Sequence, residues 1–271
     1  MNLFTLPPDA PFLDAVAATW LERAGTSDPL AVARGLILLP TRRAARALAE
    51  AFLRVSGGRA LVLPRITALG ALDEAALTLA GALDLPPAAD PLLRLAALAR
   101  LILGMGGAYG APETADRAWV LAAELAALMD EAERAEIDLA MRLPDAADPE
   151  FAAHWAVTVE FLRIVTATWP RWLDEQGLAN PAARGVALLD AQAAAWERAP
   201  PSEPVWLVGA TGGIQAVARL ARVVAWLPNG AVVLPGLDLA LAEPVWEAVE
   251  PQHPQAGLRT LLDRLAATRG D

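Results

Sequence analysis

Gly35–Val55 reads GLILLPTRRAARALAEAFLRV, and this stretch decides the fold class. Gly35–Leu39 is a short unbroken apolar run ended by Pro40, the pattern of a strand buried on both faces. From Thr41 to Val55 the pattern changes to helical spacing, with Thr41 placed as the N-cap. Ala44, Ala45, Leu48, Phe52 and Val55 share an apolar face, and Arg43, Arg46 and Arg54 with Glu50 fall on the other. A buried strand running into an amphipathic helix is the building unit of a parallel sheet covered by helices.

The same alternation recurs on either side. Asn2–Leu6 reads as a strand, followed by PPDAP and a helix from about Asp9 to Ala24. Ala60–Leu63 reads as a third strand ended by Pro64, Val205–Val208 as a fourth followed by a helix over Gly213–Leu227, and Ala231–Leu234 as a fifth ended by Pro235. Prolines just after strands put loops at the carboxyl ends, where such sheets bind ligands. The stretch from Asp84 to Pro201 differs. Leu92–Leu103, Trp119–Met129 and Phe151–Leu173 carry helical spacing, and the Pro-rich breaks LPPAADP, LPDAADP and RAPPSEP separate these helical patterns. The expected organisation is an α/β core from residues 1–83 and 202–271, with an all-helical insertion over 84–201. A length of 271 residues with 55% apolar and 20% charged composition fits about two packed domains, and 62 alanines with few aromatics favour helix.

Composition narrows the chemistry. The chain has no Cys and two His, His154 and His253, outside any HExxH spacing. Disulfides, thiol nucleophiles, iron–sulfur clusters and cysteine zinc sites are excluded within this span. A His-based metal site or a Ser-His-Asp triad has little to draw on, and both His are expected to be structural or at the surface. All 22 basic residues are Arg, so there is no P-loop lysine, no Schiff base and no Tyr-x-x-x-Lys centre; Tyr109 is the one tyrosine. The N-terminus lacks a basic n-region, and no apolar run reaches the ~20 residues of a spanning helix, so a cytoplasmic, non-membrane protein is expected. The formal charge of -10 argues against a uniform nucleic-acid coat. It is unevenly spread: residues 31–67 hold seven Arg and one acid, net +6, and residues 84–150 hold thirteen acids and five Arg, net -8.

Arg42 and Arg43 fall in the first turn of their helix, where cations oppose the dipole at about 0.3–1 kcal/mol each. A phosphate backbone at that helix N-terminus would offset the cost. The competing reading is a solvated arginine face with Glu50 paired to Arg46 or Arg54. Pro64–Leu69 (PRITAL) repeats the theme, and Arg65 and Thr67 are expected at the same sheet edge as Thr41–Arg43. Val208–Ile214 (VGATGGI), with Asp238 further on, superficially matches a dinucleotide turn. Gln215 replaces the third glycine and the motif comes late, so these glycines are expected only to turn strand into helix. Leu6–Asp14 (LPPDAPFLD) stands where a P-loop would lie and has no Gly, Lys, Ser or Thr, which speaks against ordinary ATP phosphate binding. The nine Trp are expected mostly in the core, and Asp130, Glu131 and Glu133 on a solvated helix face.

LPPDAPFLDAVA, GLILLPTRRAARALAEAFL, GGRALVLPRITALGALDE, VWLVGATGGIQAVARL and GAVVLPGLD, in this order and spacing, together resemble the N-terminal region of the AddB family, of the alphaproteobacterial type. The likeness spans essentially all 271 residues and is weakest in the helical insertion. The resemblance implies a superfamily I helicase-like domain: a RecA-like (P-loop NTPase-like) parallel sheet flanked by helices, with an all-helical insertion. It also implies a place in the AddAB helicase–nuclease of double-strand break repair and homologous recombination, beside an AddA-like subunit. The terminal GLRTLLDRLAATRGD helix then belongs to a longer chain, with the nuclease domain and iron–sulfur cluster downstream.

By the same resemblance, Thr41, Arg42, Arg43 and Arg46 sit where helicases carry a single-strand-contacting motif, and Arg65 and Thr67 near the next. Pro7, Pro8, Asp9, Ala10, Val208 and Gly209 mark a degenerate nucleotide site, with no Walker B acid after the fourth strand. The expected function is an inactive, non-enzymatic helicase-like domain, without cofactor or metal, that binds or guides single-stranded DNA. The alternatives are a subunit scaffold that touches no DNA, whose acidic insertion meets the partner, and a nucleotide- or dinucleotide-using enzyme built on VGATGGI.

Overall fold

The computed structural model describes residues 1–25, 28, 30–72, 74–79, 84–143 and 152–270. In chain order the elements are β1 (Leu3–Leu6), α1 (Phe12–Ala24), β2 (Leu36–Leu39), α2 (Arg42–Val55), β3 (Arg65–Ala68) and α3 (Glu74–Leu79). Next come α4 (Pro91–Gly104), α5 (Ala115–Ala135), α6 (Leu139–Arg142), α7 (Ala152–Arg163), a π-helical segment (Ile164–Thr168), α8 (Trp169–Gln176) and α9 (Pro181–Arg198). The chain then forms β4 (Val205–Val208), α10 (Gln215–Trp226), β5 (Gly230–Pro235), α11 (Glu243–Glu247) and α12 (Ala256–Leu265). These elements divide into two compact units, Met1–Leu83 with Leu188–Asp271, and Asp84–Ala187. The sequence pattern puts the second boundary at 201/202; the observed division falls inside α9.

The first unit is a five-stranded, fully parallel sheet in the order β1-β5-β4-β2-β3, flanked by helices. Its inner strands are apolar throughout because both faces are covered: every residue of β2 and β4 is buried. Ile37, Leu39, Trp206, Val208, Ala231 and Val233 share one face and pack with Val16, Ala17 and Trp20 of α1 and Leu48, Ala51 and Phe52 of α2. Leu48 and Phe52 are fully buried and contribute about 1.5–3 kcal/mol each. The alternate residues, among them Leu38, Leu207, Val232 and Leu234, face the other way; the buried stripe of α10, centred on Leu220 and Val224, packs on β4 and β5.

Strand order dictates this split. Connections leaving β1 and β2 travel toward β3, and those leaving β3 and β4 travel back. Right-handed crossovers therefore place α1 and α2 on one face and α10 on the other. The neighbours β2 and β4 send their chains to opposite faces, which makes their carboxyl ends the topological switch point of the sheet.

One strand differs from the sequence expectation. Ala60–Leu63 forms no strand; β3 is Arg65–Ala68, in register with Leu36–Leu39. Pro64 stands before the ladder rather than after it. Proline is tolerated just ahead of a strand because no N–H is needed there, and the β-branched Ile66 and Thr67 lie beyond it. Trp20, Trp169, Trp206 and Trp246 are buried. Trp226, 68% exposed, and Trp119, 39% exposed, are not core residues.

The second unit is helical. Leu98 and Ile102 of α4, Ala118, Ala122 and Leu125 of α5, and Phe161, Val165, Trp169 and Leu173 of the later helices form its core. The chain stays helical from Ala152 to Gln176 through the π segment. Pro170 explains the wide turn, since it offers no N–H to the carbonyl four residues back and the helix must re-pair around it. The LPDAADP break lies outside the described residues apart from Leu143, as does Phe151 at the expected helix start.

The acids of α5 are not simply a solvated face. Arg94, 5% exposed, donates to Asp130 at 2.7 Å and to the Ala126 carbonyl at 2.9 Å. The Glu133 carboxylate accepts from Asn180 Nδ2 at 2.7 Å and from the Ala183 N–H at 3.0 Å, so it caps the first turn of α9 from another helix. Asn180 in turn accepts from the Trp169 indole at 3.3 Å. Burial is the main influence on Glu133 and raises its pKa above the ordinary carboxylate value, against the lowering effect of Asn180 and Ala183. A folded-state pKa raised this way gives stability that is present below the ordinary value and lost as pH rises through the shifted one. Urea unfolding should therefore show the Glu133 contribution to stability falling as pH rises above the ordinary carboxylate range. Glu133→Gln should flatten that slope, and an unchanged slope would remove Glu133 as its source.

Candidate functional site

The Pro40–Thr41 turn and the Gly209–Ile214 loop leave the switch point between β2 and β4, and the β1–α1 loop leaves the same end of the sheet, all in the sheet unit. Thr41 is extended and its Oγ1 accepts from the Ala44 N–H at 3.1 Å, so it caps α2. Its hydroxyl hydrogen remains to donate outward. Arg42, Arg43 and Arg46 follow in the first turns and are exposed. None of the three makes an ion pair or side-chain hydrogen bond with a described residue. Glu50 pairs with neither Arg46 nor Arg54; Arg54 instead donates to Asp14 of α1 at 2.5 Å. That bond is the main reason the Arg54 guanidinium is held above its ordinary pKa. Thr41, Arg42, Arg43 and Arg46, within six residues of the turn and helix, thus present a neutral donor and three guanidiniums without a described partner at this end of the sheet.

Arg65 is not at this edge, whereas Thr67 stands one residue short of the carboxyl end of β3. Arg65 is level with Leu36 at the start of β2, and Thr67 with Leu38. At about 3.3 Å per residue, Arg65 lies about 16 Å below the level of Thr41, at the amino end of the sheet. The displaced strand is the cause. A strand ending at Pro64 would put Arg65 in a carboxyl-end loop, whereas a strand beginning at Arg65 puts it at the opposite end.

The degenerate nucleotide positions are filled by the protein itself. Pro7 to Ala10 make a tight turn, closed by the Ala10 N–H on the Pro7 carbonyl at 3.1 Å. Pro11 precedes α1 without a side-chain cap, and Asp14 supplies the negative charge of that first turn. Val208 is fully buried in the sheet core and presents no acid. Gly209, at φ +77°, has the Phe12 ring and Pro40 in van der Waals range of where a Cβ would stand. Phe12 and Pro40 thus flank Gly209 after β4, and the Pro7–Ala10 turn carries no lysine and no hydroxyl. These residues do not fit a magnesium–nucleotide.

The VGATGGI loop has a packing role. A Cβ on Gly212, at φ +71°, would lie 2.4 Å from the Gly257 carbonyl and 2.8 Å from Leu261, so the glycine lets α12 approach. Arg264 ties the contact by donating to the Gly212 carbonyl. Asp238 caps its own turn, accepting from Ala240 and Leu241 at 2.9 and 3.0 Å. Substituting Gly212 would report on folding rather than on a ligand. Gly213 meets nothing within 4 Å, so Gly213→Ala is the clean test. Fluorescence titration with NADH should give no saturable binding to wild type. Saturable binding that Gly213→Ala abolishes would restore the dinucleotide reading.

Sequence reasoning did not find the Arg54–Asp14 pair or the Glu133–Asn180 cap. Both join residues far apart in the chain, and no local pattern marks either. The architecture defines a class: an α/β protein with a parallel sheet flanked by helices and a helical insertion region. Among the described residues no helix is long and apolar enough to cross a membrane. No family model matches this chain, and no curated protein matches it.

Proposed function

We propose that the sheet unit is an inactive, RecA-like helicase-type domain that holds single-stranded DNA by its phosphates and hydrolyses no ATP. In this reading it belongs to an AddB-like subunit of a double-strand break repair helicase–nuclease, working beside an AddA-like partner. One observation carries it: Thr41, Arg42, Arg43 and Arg46, exposed and without acidic partners among the described residues, at the capped N-terminus of α2 by the β2/β4 switch point. Arg42 and Arg46 are one helical turn apart, about 5–6 Å between Cβ atoms, and the α2 dipole adds to their field. Phosphate contacts position a strand without reading its sequence. The insertion between β3 and β4 and the lack of P-loop residues after β1 both agree with the same reading.

The test is a salt titration of binding to a labelled single-stranded oligonucleotide, with ATP binding measured alongside. Salt-sensitive DNA binding without ATP binding is expected. Saturable ATP binding would refute the inactive-site reading. Absence of DNA binding, here and in an assembled complex, would leave a scaffold role.

A further inference from the structure

The helical unit contains an open groove of about 460 Å³. Its floor is apolar, built on Trp169 and Leu173, both buried. Ile137, 48% exposed, stands at its mouth. Three carboxylates line it, Glu133, Asp138 and Asp174, and no arginine does. Asp138 and Asp174 are exposed, and neither forms an ion pair with a described residue. Asp138 spends one oxygen on capping α6, accepting from Ala140 at 2.9 Å and Met141 at 3.3 Å.

We propose that this groove docks a basic amphipathic segment of a partner protein, which seats an apolar side chain against Ile137 over the Trp169–Leu173 floor while flanking Lys or Arg heads meet Asp138, Asp174 and Glu133. Charge complementarity selects this occupant. Arg184 donates to the carbonyl of the lining residue Pro86 at 2.9 Å, and three carboxylates against that guanidinium leave a net acidic rim, which repels the phosphates of nucleic acid and of anionic lipid. An apolar floor without charge would favour any hydrophobic segment; the rim restricts it to a cationic one. The burial of Glu133 adds to this, because a nearby cation would stabilise its ionised form. The inference does not depend on the DNA-binding reading, which concerns α2 in the other unit.

The test uses the whole chain and a fluorescent amphipathic peptide with leucines on one face flanked by lysines, beside its counterpart with glutamates for lysines. The double variant Asp138→Asn/Asp174→Asn removes the rim charge and keeps a good N-cap at 138. Glu197→Gln/Glu203→Gln removes two acids outside the groove and is the control. The lysine peptide should bind and shift the Trp169 indole N–H resonance. The rim variant should weaken it on the order of tenfold, the control variant should not, and the glutamate peptide should not bind. No binding of the lysine peptide, or equal loss in rim and control variants, would overturn the proposal. Self-association of the chain that the rim variant abolishes would assign the groove to a second copy and overturn it as well.

Discussion

Alanine at Arg42, Arg43 and Arg46 together is expected to weaken single-stranded DNA binding at least about tenfold at low salt and to cut its salt slope by about 2. Each phosphate neutralised on a single strand contributes about 0.7 to that slope, and three cations are removed. The fold should not suffer. Arg42 and Arg43 oppose the α2 dipole at about 0.3–1 kcal/mol each, alanine is the best helix former, and none of the three has an acidic partner to strand. Equal or higher thermal stability with a flattened slope would separate binding from folding. Arg65→Ala, at the far end of the sheet, should leave the slope unchanged. A triple variant that keeps its affinity and slope would show that DNA, if bound, goes elsewhere.

The second large effect is on stability. Asp130→Ala is expected to cost about 3 kcal/mol in urea unfolding. Arg94 is 5% exposed, its Nε has no hydrogen-bond partner, and its remaining bonds go to Asp130 and one carbonyl. Removing Asp130 leaves that guanidinium buried beside a single carbonyl between α4 and α5. The 3.5 Å contact of Asp130 with Arg134 is exposed and adds little. Arg94→Met in the same chain should restore most of the loss, because an apolar side chain of similar length needs no counter-charge. A loss below about 1 kcal/mol for Asp130→Ala would mean water reaches Arg94 and the pair is not holding the two helices.

How much was legible follows from the range of the forces involved. LILL, VWLV and AVVLP are strands in the sequence because runs buried on both faces need no alternation. Thr41 is legible as a cap because the hydrogen bond it makes is three residues away. RITA was obscured by the apolar ALVL before it. Local hydrophobicity favours ALVL, but the ladder with β2 favours the segment that can reach register beyond Pro64, and register is a pairing property.

The sequence by itself determined the parallel α/β class, the helical insertion, the absence of lysine and cysteine chemistry, and the Thr41–Arg46 cluster. These follow from composition and from periodicities of a few residues. Tertiary structure alone decided that Arg65 lies at the opposite end of the sheet, that Phe12 and Pro40 pack beside Gly209, that Gly212 serves the approach of α12, and that Glu133 caps α9. Each of these depends on which distant segment fills a space. That choice is made by strand register and close packing, which no local pattern in one chain encodes.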